Sequence, residues 1–257
     1  MREFTIKNVT FGLGIPKICA PLVAHTKDET LKQLNELLIP EIDLVEWRMD
    51  YLDCVHDEDA MLAIAKEIRS AISNKPILAT FRTKQEGGEQ DFPMEEYFHL
   101  CQSIAESGFV DLIDLELFST EDTDFLFSLC ETIHKAGVKI IFSNHDFQKT
   151  PEQSHIVTRL EKMESLGADI AKIAVMPNSS DDVLTLLNAT NLASKTLQVP
   201  IVTMSMGKLG VISRLCGATF GSAMTFGSLS QASAPGQVPV RELSSILHTI
   251  GSSNPKI

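Results

Sequence analysis

The chain has 257 residues, 44% of them hydrophobic, and a formal net charge of −12. That is material for one large core. The absence of a basic cluster argues against nucleic acid as a partner, and no apolar stretch approaches the ~20 residues that span a bilayer. Five scattered cysteines without a C-x-x-C pair make disulfides and a zinc site unexpected. The start, Met1 to Lys7, lacks an apolar signal region, so a cytoplasmic protein is expected.

Short apolar runs recur along the chain. In order they are Lys17 to Val23, Leu44 to Met49, Ile77 to Phe81, Leu112 to Leu117, Lys139 to Ser143, Ile170 to Val175, Ile201 to Ser205 and Ala223 to Phe226. Most are almost continuously apolar, the pattern of parallel strands covered on both faces. Ahead of them, Glu3 to Val9 is expected to pair with Thr10 to Leu13 as a hairpin.

Helical periodicity fills the gaps. Asp28 to Leu38 places Leu31, Leu34, Leu37 and Leu38 on one face, and Asp57 to Ala71 does so with Met61, Ile64, Ala65 and Ile68. A further helix follows Thr150-Pro151-Glu152, with Thr150 as expected N-cap, Pro151 at the first position and Gly167 as the stop. Asp181 to Ala193 is another. Strands alternating with helices predict an α/β fold, a (β/α)8 TIM barrel whose floor the hairpin closes, with residues 1–257 as a single domain.

In such barrels chemistry sits at the C-terminal strand ends. One residue there is out of place: Lys172, inside the apolar run Asp169 to Met176. A buried ammonium tends to lose its proton, and a neutral amine attacks carbonyls to form Schiff bases. The alternatives are a carboxylate partner or a lysine that snorkels outward. The preceding run ends in Asn144-His145-Asp146, which puts a proton-transfer group on the neighbouring strand. Glu46, Arg48 and Asp50 alternate on one strand, reading either as an ion-pair network or as a rim that orients a hydroxylated ligand.

The chain carries, in order, Glu46-Trp47-Arg48-Met49-Asp50, Thr80-Phe81-Arg82 with Glu86-Gly87-Gly88, Ser143-Asn144-His145-Asp146-Phe147, Lys172-Ile173-Ala174-Val175-Met176, Met204-Ser205-Met206-Gly207 and Ser233-Ala234-Pro235-Gly236-Gln237. Together these closely resemble the type I 3-dehydroquinate dehydratases over nearly the whole chain. The resemblance implies a metal-free, cofactor-free barrel, usually a homodimer. It implies conversion of 3-dehydroquinate to 3-dehydroshikimate by syn elimination of water through a lysine imine, the third step of the shikimate pathway toward chorismate and aromatic amino acids.

By the same resemblance Lys172 forms the imine, His145 is the general base and Glu86 its carboxylate partner. Arg214 binds the substrate carboxylate. Glu46, Arg48 and Arg82 surround the ring and hydroxyls, and Ser233 and Gln237 belong to a lid running from Gly227 to Gln237. A serine that touches substrate in some members is Pro21 here, and His25 beside it receives no role. Met204 and Met206 are read as ring contacts or core filler, at least one of them filler. A Schiff-base aldolase on the same barrel and a non-catalytic metabolite-binding barrel stay open as alternatives. No G-x-G-x-x-G follows a strand, so a fused dehydrogenase is not expected.

Overall fold

The structure is a computed structural model that describes residues 3–229 and 233–252. The chain opens with a hairpin, β1 (Phe4–Ile6) against β2 (Val9–Phe11), turned at Lys7 with φ of 54°. Then come β3 (Lys17–Leu22), α1 (Lys27–Gln33), β4 (Leu44–Arg48), α2 (Glu58–Ala71), β5 (Ile77–Thr80), α3 (Met94–Glu106), β6 (Leu112–Glu116) and α4 (Thr123–Lys135). The second half runs β7 (Lys139–Asp146), α5 (Gln153–Ser165), β8 (Ile170–Val175), α6 (Ser180–Thr196), β9 (Ile201–Ser205), α7 (Gly207–Phe220), β10 (Met224–Ser228), β11 (Val238–Pro239) and α8 (Val240–Ser252).

Strands β3 to β9 pair in parallel, each with its sequence neighbour, and β10 pairs back onto β3. Between β9 and β10 a single bridge, Ile201 with Ser222, and the bond from Ala223 N to Ile201 O at 2.8 Å complete the ring. The fold is the expected (β/α)8 barrel. The short β11 beside β10 was not anticipated.

Side chains alternate along each strand, so the inner face repeats every second residue. Cys19, Leu44, Leu78, Leu112, Ile141, Ile170, Val202 and Met224 form one apolar cluster inside the ring. Val9 and Phe11 of the hairpin pack into that cluster, so the hairpin plugs the barrel from the end where the strands begin. Two residues further along each strand the inner face changes character. Glu46, Thr80, Asp114, Ser143 and Lys172 are all buried there, beside Met204 and Phe226. The outer faces carry the larger core under the helices, with Trp47, Phe81, Phe142 and Tyr97 among its members.

Local details depart from expectation in two places. The segment Asp28 to Leu38 is not one helix: α1 ends at Gln33 and a 3-10 turn covers Leu34–Leu38. Thr150 does not cap α5. Its hydroxyl donates to Met176 O at 3.1 Å, and Glu152 is the N-cap, without a side-chain bond. Gly167 does end α5, at φ of 98°. Asp57 and Ser179 cap α2 and α6 through their side chains, the latter with Asp182 in a reciprocal capping box.

Candidate active site

Lys172 rises from the middle of β8 and is 4% exposed. It is not a lone amine. Its Nζ lies 3.2 Å from Asp114 Oδ2 on β6, and 4.8 Å from the centre of the Phe226 ring. The other Asp114 oxygen accepts from Arg82 Nη2 at 2.7 Å and from Ser143 Oγ at 2.6 Å. Burial alone would raise the Asp114 pKa. The charges of Arg82 and Lys172 and the bond from Ser143 outweigh it and hold this carboxyl below its ordinary value.

His145 sits two residues beyond Ser143 on the same face of β7. Its Nδ1 lies 2.9 Å from Glu86 Oε2, and its backbone N–H donates to the same oxygen at 2.9 Å. Glu86 Oε1 accepts from Asn144 Nδ2, also at 2.9 Å. Burial pushes Glu86 up to about 8, Glu116 adds to the rise, and Arg82 and Asn144 oppose it. Burial likewise pushes His145 well below its ordinary value, helped by the charges of Arg82, Lys172 and Arg48. Both shifts disfavour an imidazolium–carboxylate ion pair and favour the uncharged imidazole.

Glu86 reaches β7 from beyond β5 because its turn is pinned. Thr83 caps the short 3-10 turn Lys84–Glu86, and Glu116 accepts from Thr83 N at 2.8 Å and from its hydroxyl at 2.7 Å. The chain then folds back so tightly that a Cβ on Gly88 would stand 1.8 Å from Arg82 O. Only glycine fits there.

The cations of this layer are mostly paired. Arg82 donates to Glu116 Oε1 at 2.8 Å as well as to Asp114, and Arg48 grips Asp50 in a bidentate pair at 2.8 and 2.7 Å. Glu46 accepts from Thr80 Oγ1 at 3.1 Å. Asp50, expected to share a face with Glu46 and Arg48, lies in a 3-10 turn past the strand and holds Arg48 from behind.

Arg214 is different. It is 2% exposed, so it is no surface arginine. The inner face of α7 carries Gly210, Ser213 and Gly217, small residues that let the helix approach β9 closely, while Leu209 and Ile212 point outward. Nη1 of Arg214 meets Met204 Sδ at 3.2 Å, Nη2 donates to Pro235 O at 3.1 Å, and Nε has no partner among the described residues. Among the described residues no carboxylate forms an ion pair with it. Burial alone pulls its pKa down to about 10.

Residues 233–237, the end of the expected lid, lie against this layer. Gln237 and Ser233 bond each other twice at 3.0 Å, Ser233 O accepts from Arg48 Nη1 at 3.3 Å, and Pro235 O accepts from Gly207 N at 3.2 Å. Ser230, Gln231 and Ala232 of the expected lid lie outside the described residues.

A cleft opens between these groups. Glu46, Arg48, Arg82, Glu86, His145, Lys172, Arg214, Ser233 and Gln237 all line it, so every expected site residue reaches one place. Met204 and Met206 both line it too, and both also pack in the inner core. Pro21 and His25 do not line it. Sequence reading missed Asp114, Glu116 and Asn144. For the first two the signal was present: Leu112-Ile113-Asp114-Leu115-Glu116 sets carboxylates two apart in an apolar strand, the same pattern that marked Glu46 and Arg48.

Comparison with known proteins identifies the family. The family model for type I 3-dehydroquinase matches residues 18–254. A 3-dehydroquinate dehydratase of Listeria monocytogenes is 51% identical over 247 residues, which is 96% of this chain and 97% of the relative. The solved type I 3-dehydroquinate dehydratase of Clostridium difficile is 45% identical, with a TM-score of 0.95 over 98% of this chain and 99% of that one. The 3-dehydroquinate dehydratase of Geobacillus kaustophilus is 36% identical, with a TM-score of 0.94 over 98% and 97%. These matches set aside the aldolase and the non-catalytic barrel. The chain belongs to the type I 3-dehydroquinase family, hydro-lyases with 3-dehydroquinate dehydratase activity.

Proposed function

We propose that the reaction runs through an imine on Lys172, with His145 moving the protons and Arg214 holding the substrate carboxylate. The observation that carries this reading is that a buried lysine and a histidine held by a carboxylate through Nδ1 line one cleft. Nζ of Lys172 adds to the ketone carbon of 3-dehydroquinate. Loss of water leaves a protonated imine whose charge faces Asp114. That charge withdraws electrons from the next carbon and acidifies its hydrogen.

His145 Nε2 takes that proton, and the freed electron pair forms an enamine. The hydroxyl one carbon further then leaves by syn elimination, collects the proton from His145 and departs as water. Hydrolysis of the product imine returns the amine. Glu86, through Nδ1, fixes the tautomer and stabilises the imidazolium between the two transfers, as a triad carboxylate does.

Arg214 is buried without a carboxylate among the described residues, and a substrate carboxylate would supply the missing counter-charge. Glu46, Arg48 and Arg82 bind the ring and hydroxyls, and Ser233 and Gln237 close the lid and keep water from the imine. The Clostridium difficile relative was solved with covalent modified comenic acid, which is in keeping with a covalent step. We read residues 1–257 as one barrel domain of a cytoplasmic homodimer serving aromatic amino acid biosynthesis, a state that sedimentation would test.

The deciding experiment is borohydride reduction in the presence of 3-dehydroquinate, followed by intact-mass and peptide analysis. The expected result is one adduct, on Lys172. Turnover without any adduct, or an adduct elsewhere, would overturn the imine assignment.

A further inference from the structure

Asn144 points away from Ser143 and His145, toward α5. Its Oδ1 accepts from Arg159 Nη1 at 2.8 Å, and its Nδ2 donates to Glu86 Oε1 at 2.9 Å. We infer that Arg159 is a positioning residue for the His145–Glu86 pair: it locks the Asn144 amide with its NH2 toward Glu86, an orientation that favours the charged form of Glu86. This deepens the reading of His145 as the base and rests on it.

The argument turns on which groups can only donate. An amide can rotate by 180° about its last bond and exchange its oxygen for its nitrogen. A guanidinium has no acceptor. With Arg159 at 2.8 Å, the Asn144 oxygen must face Arg159, and the NH2 must then face Glu86. Without Arg159 the flipped amide becomes allowed. It would set Asn144 Oδ1 against Glu86 Oε1 at contact distance, an arrangement of two acceptors that only a proton on Glu86 relieves.

The surroundings make that proton easy to gain. Around Glu86, Asp114 and Glu116 favour protonation, and Arg82 opposes it. On the other side of the pair, Arg82, Lys172 and Arg48 face His145. A neutral Glu86 no longer balances the imidazolium that forms during turnover. Arg159 is half-buried on α5, outside the cleft lining, with its guanidinium 5.4 Å from the centre of the Phe118 ring, which Lys162 also faces. It acts on the base through two hydrogen bonds rather than by touching substrate.

The test is a double-mutant cycle read by pH. In Arg159→Ala the acid limb of kcat/KM is expected to move up by about one pH unit, the worth of one hydrogen bond to a charged group. The 13C resonance of the Glu86 carboxyl, assigned with Glu86→Gln, should titrate at a correspondingly higher pH. Asn144→Ala should produce the same shift, and adding Arg159→Ala to it should produce none beyond that. Arg159→Lys should return part of the shift.

If Arg159→Ala fails to fold, Arg159→Met keeps the packing over Phe118 and removes the donor. An unmoved limb and an unmoved Glu86 titration, or additive shifts in the double variant, would overturn the inference and leave Arg159 a structural residue. The carboxyl titration does not depend on turnover. Failure of the Lys172 adduct in the wild-type protein would therefore sink the functional reading while still leaving Arg159 tested.

Discussion

Lys172 and Arg82 share one carboxylate: Asp114 accepts from Lys172 Nζ at 3.2 Å through one oxygen and from Arg82 Nη2 at 2.7 Å through the other. The three residues stand on or just past β8, β6 and β5, so the barrel's register brings them together. Asp114 thus faces the charge that would develop on the imine, and it ties that charge to a guanidinium lining the same cleft.

Asp114→Asn keeps the shape and removes the charge. Two buried cations then lose their common counter-ion. Breaking a buried pair in this way costs about 3–5 kcal/mol, and urea unfolding should show a loss in that range. Turnover at saturating substrate should fall by roughly 10²-fold, the scale for removing a preorganised electrostatic partner. A variant with wild-type stability and kcat would show that Asp114 serves neither end.

Arg214→Met separates binding from stability. The guanidinium is buried with one sulfur and one carbonyl as partners, so replacing it with an apolar chain removes a desolvation penalty. Thermal unfolding should show an unchanged or higher Tm. Truncating one partner of a buried charge pair costs about 2–5 kcal/mol, so kcat/KM should drop by roughly 10²-fold or more, mostly through KM. A loss confined to kcat would point to a role in the chemistry instead.

The acid side of the pH profile belongs to the His145–Glu86 pair. Burial first, and Glu116 next, raise Glu86 to about 8. Below that pH a proton resides on the pair and weakens the base, so kcat/KM should fall as pH drops through this range. The stability effect has the opposite sign. A raised carboxyl means that the folded state binds the proton more tightly than the unfolded one. That contribution is full below the unfolded value, near 4.5, and is lost as pH rises through about 8. Glu86→Gln should therefore gain stability relative to wild type as pH rises across this window. Parallel urea titrations at several pH values would check it, and a gap between the two proteins that does not change with pH would refute it.

Gly236→Ala tests the lid. Gly236 has φ of 79°, and a Cβ there would stand 2.4 Å from Gly207 O. The substitution prevents the lid tip from seating on Gly207 at the start of α7. KM should rise and kcat should fall together, with Tm within about a degree or two of wild type, as expected for a surface loop away from the core. Unchanged kinetics would mean that the seated lid is not needed for turnover.

How far the sequence was legible follows from the range of each interaction. The strands were read nearly to their ends because a parallel strand buried on both faces has a local signature of consecutive apolar residues. Lys172 and His145 stood out because a charge or an imidazole conflicts with that signature. Arg214 was readable only by resemblance, since α7 buries its small residues and exposes Leu209 and Ile212, the reverse of the usual helix pattern. Thr150 looked like an N-cap because local spacing allowed it, but a carbonyl 26 residues away took its hydroxyl.

The sequence by itself determined the order of strands and helices, and with it the ring of strand ends where Lys172 and His145 would be found. Those are consequences of local periodicity and of a closed topology. The protonation logic was decided by the tertiary structure alone: Asp114 on Lys172, Asn144 and Arg159 behind Glu86, Asp50 behind Arg48, and no carboxylate among the described residues on Arg214. Each of these depends on atoms brought within hydrogen-bond reach from distant positions or across a turn, and burial then magnifies charges that water would have screened.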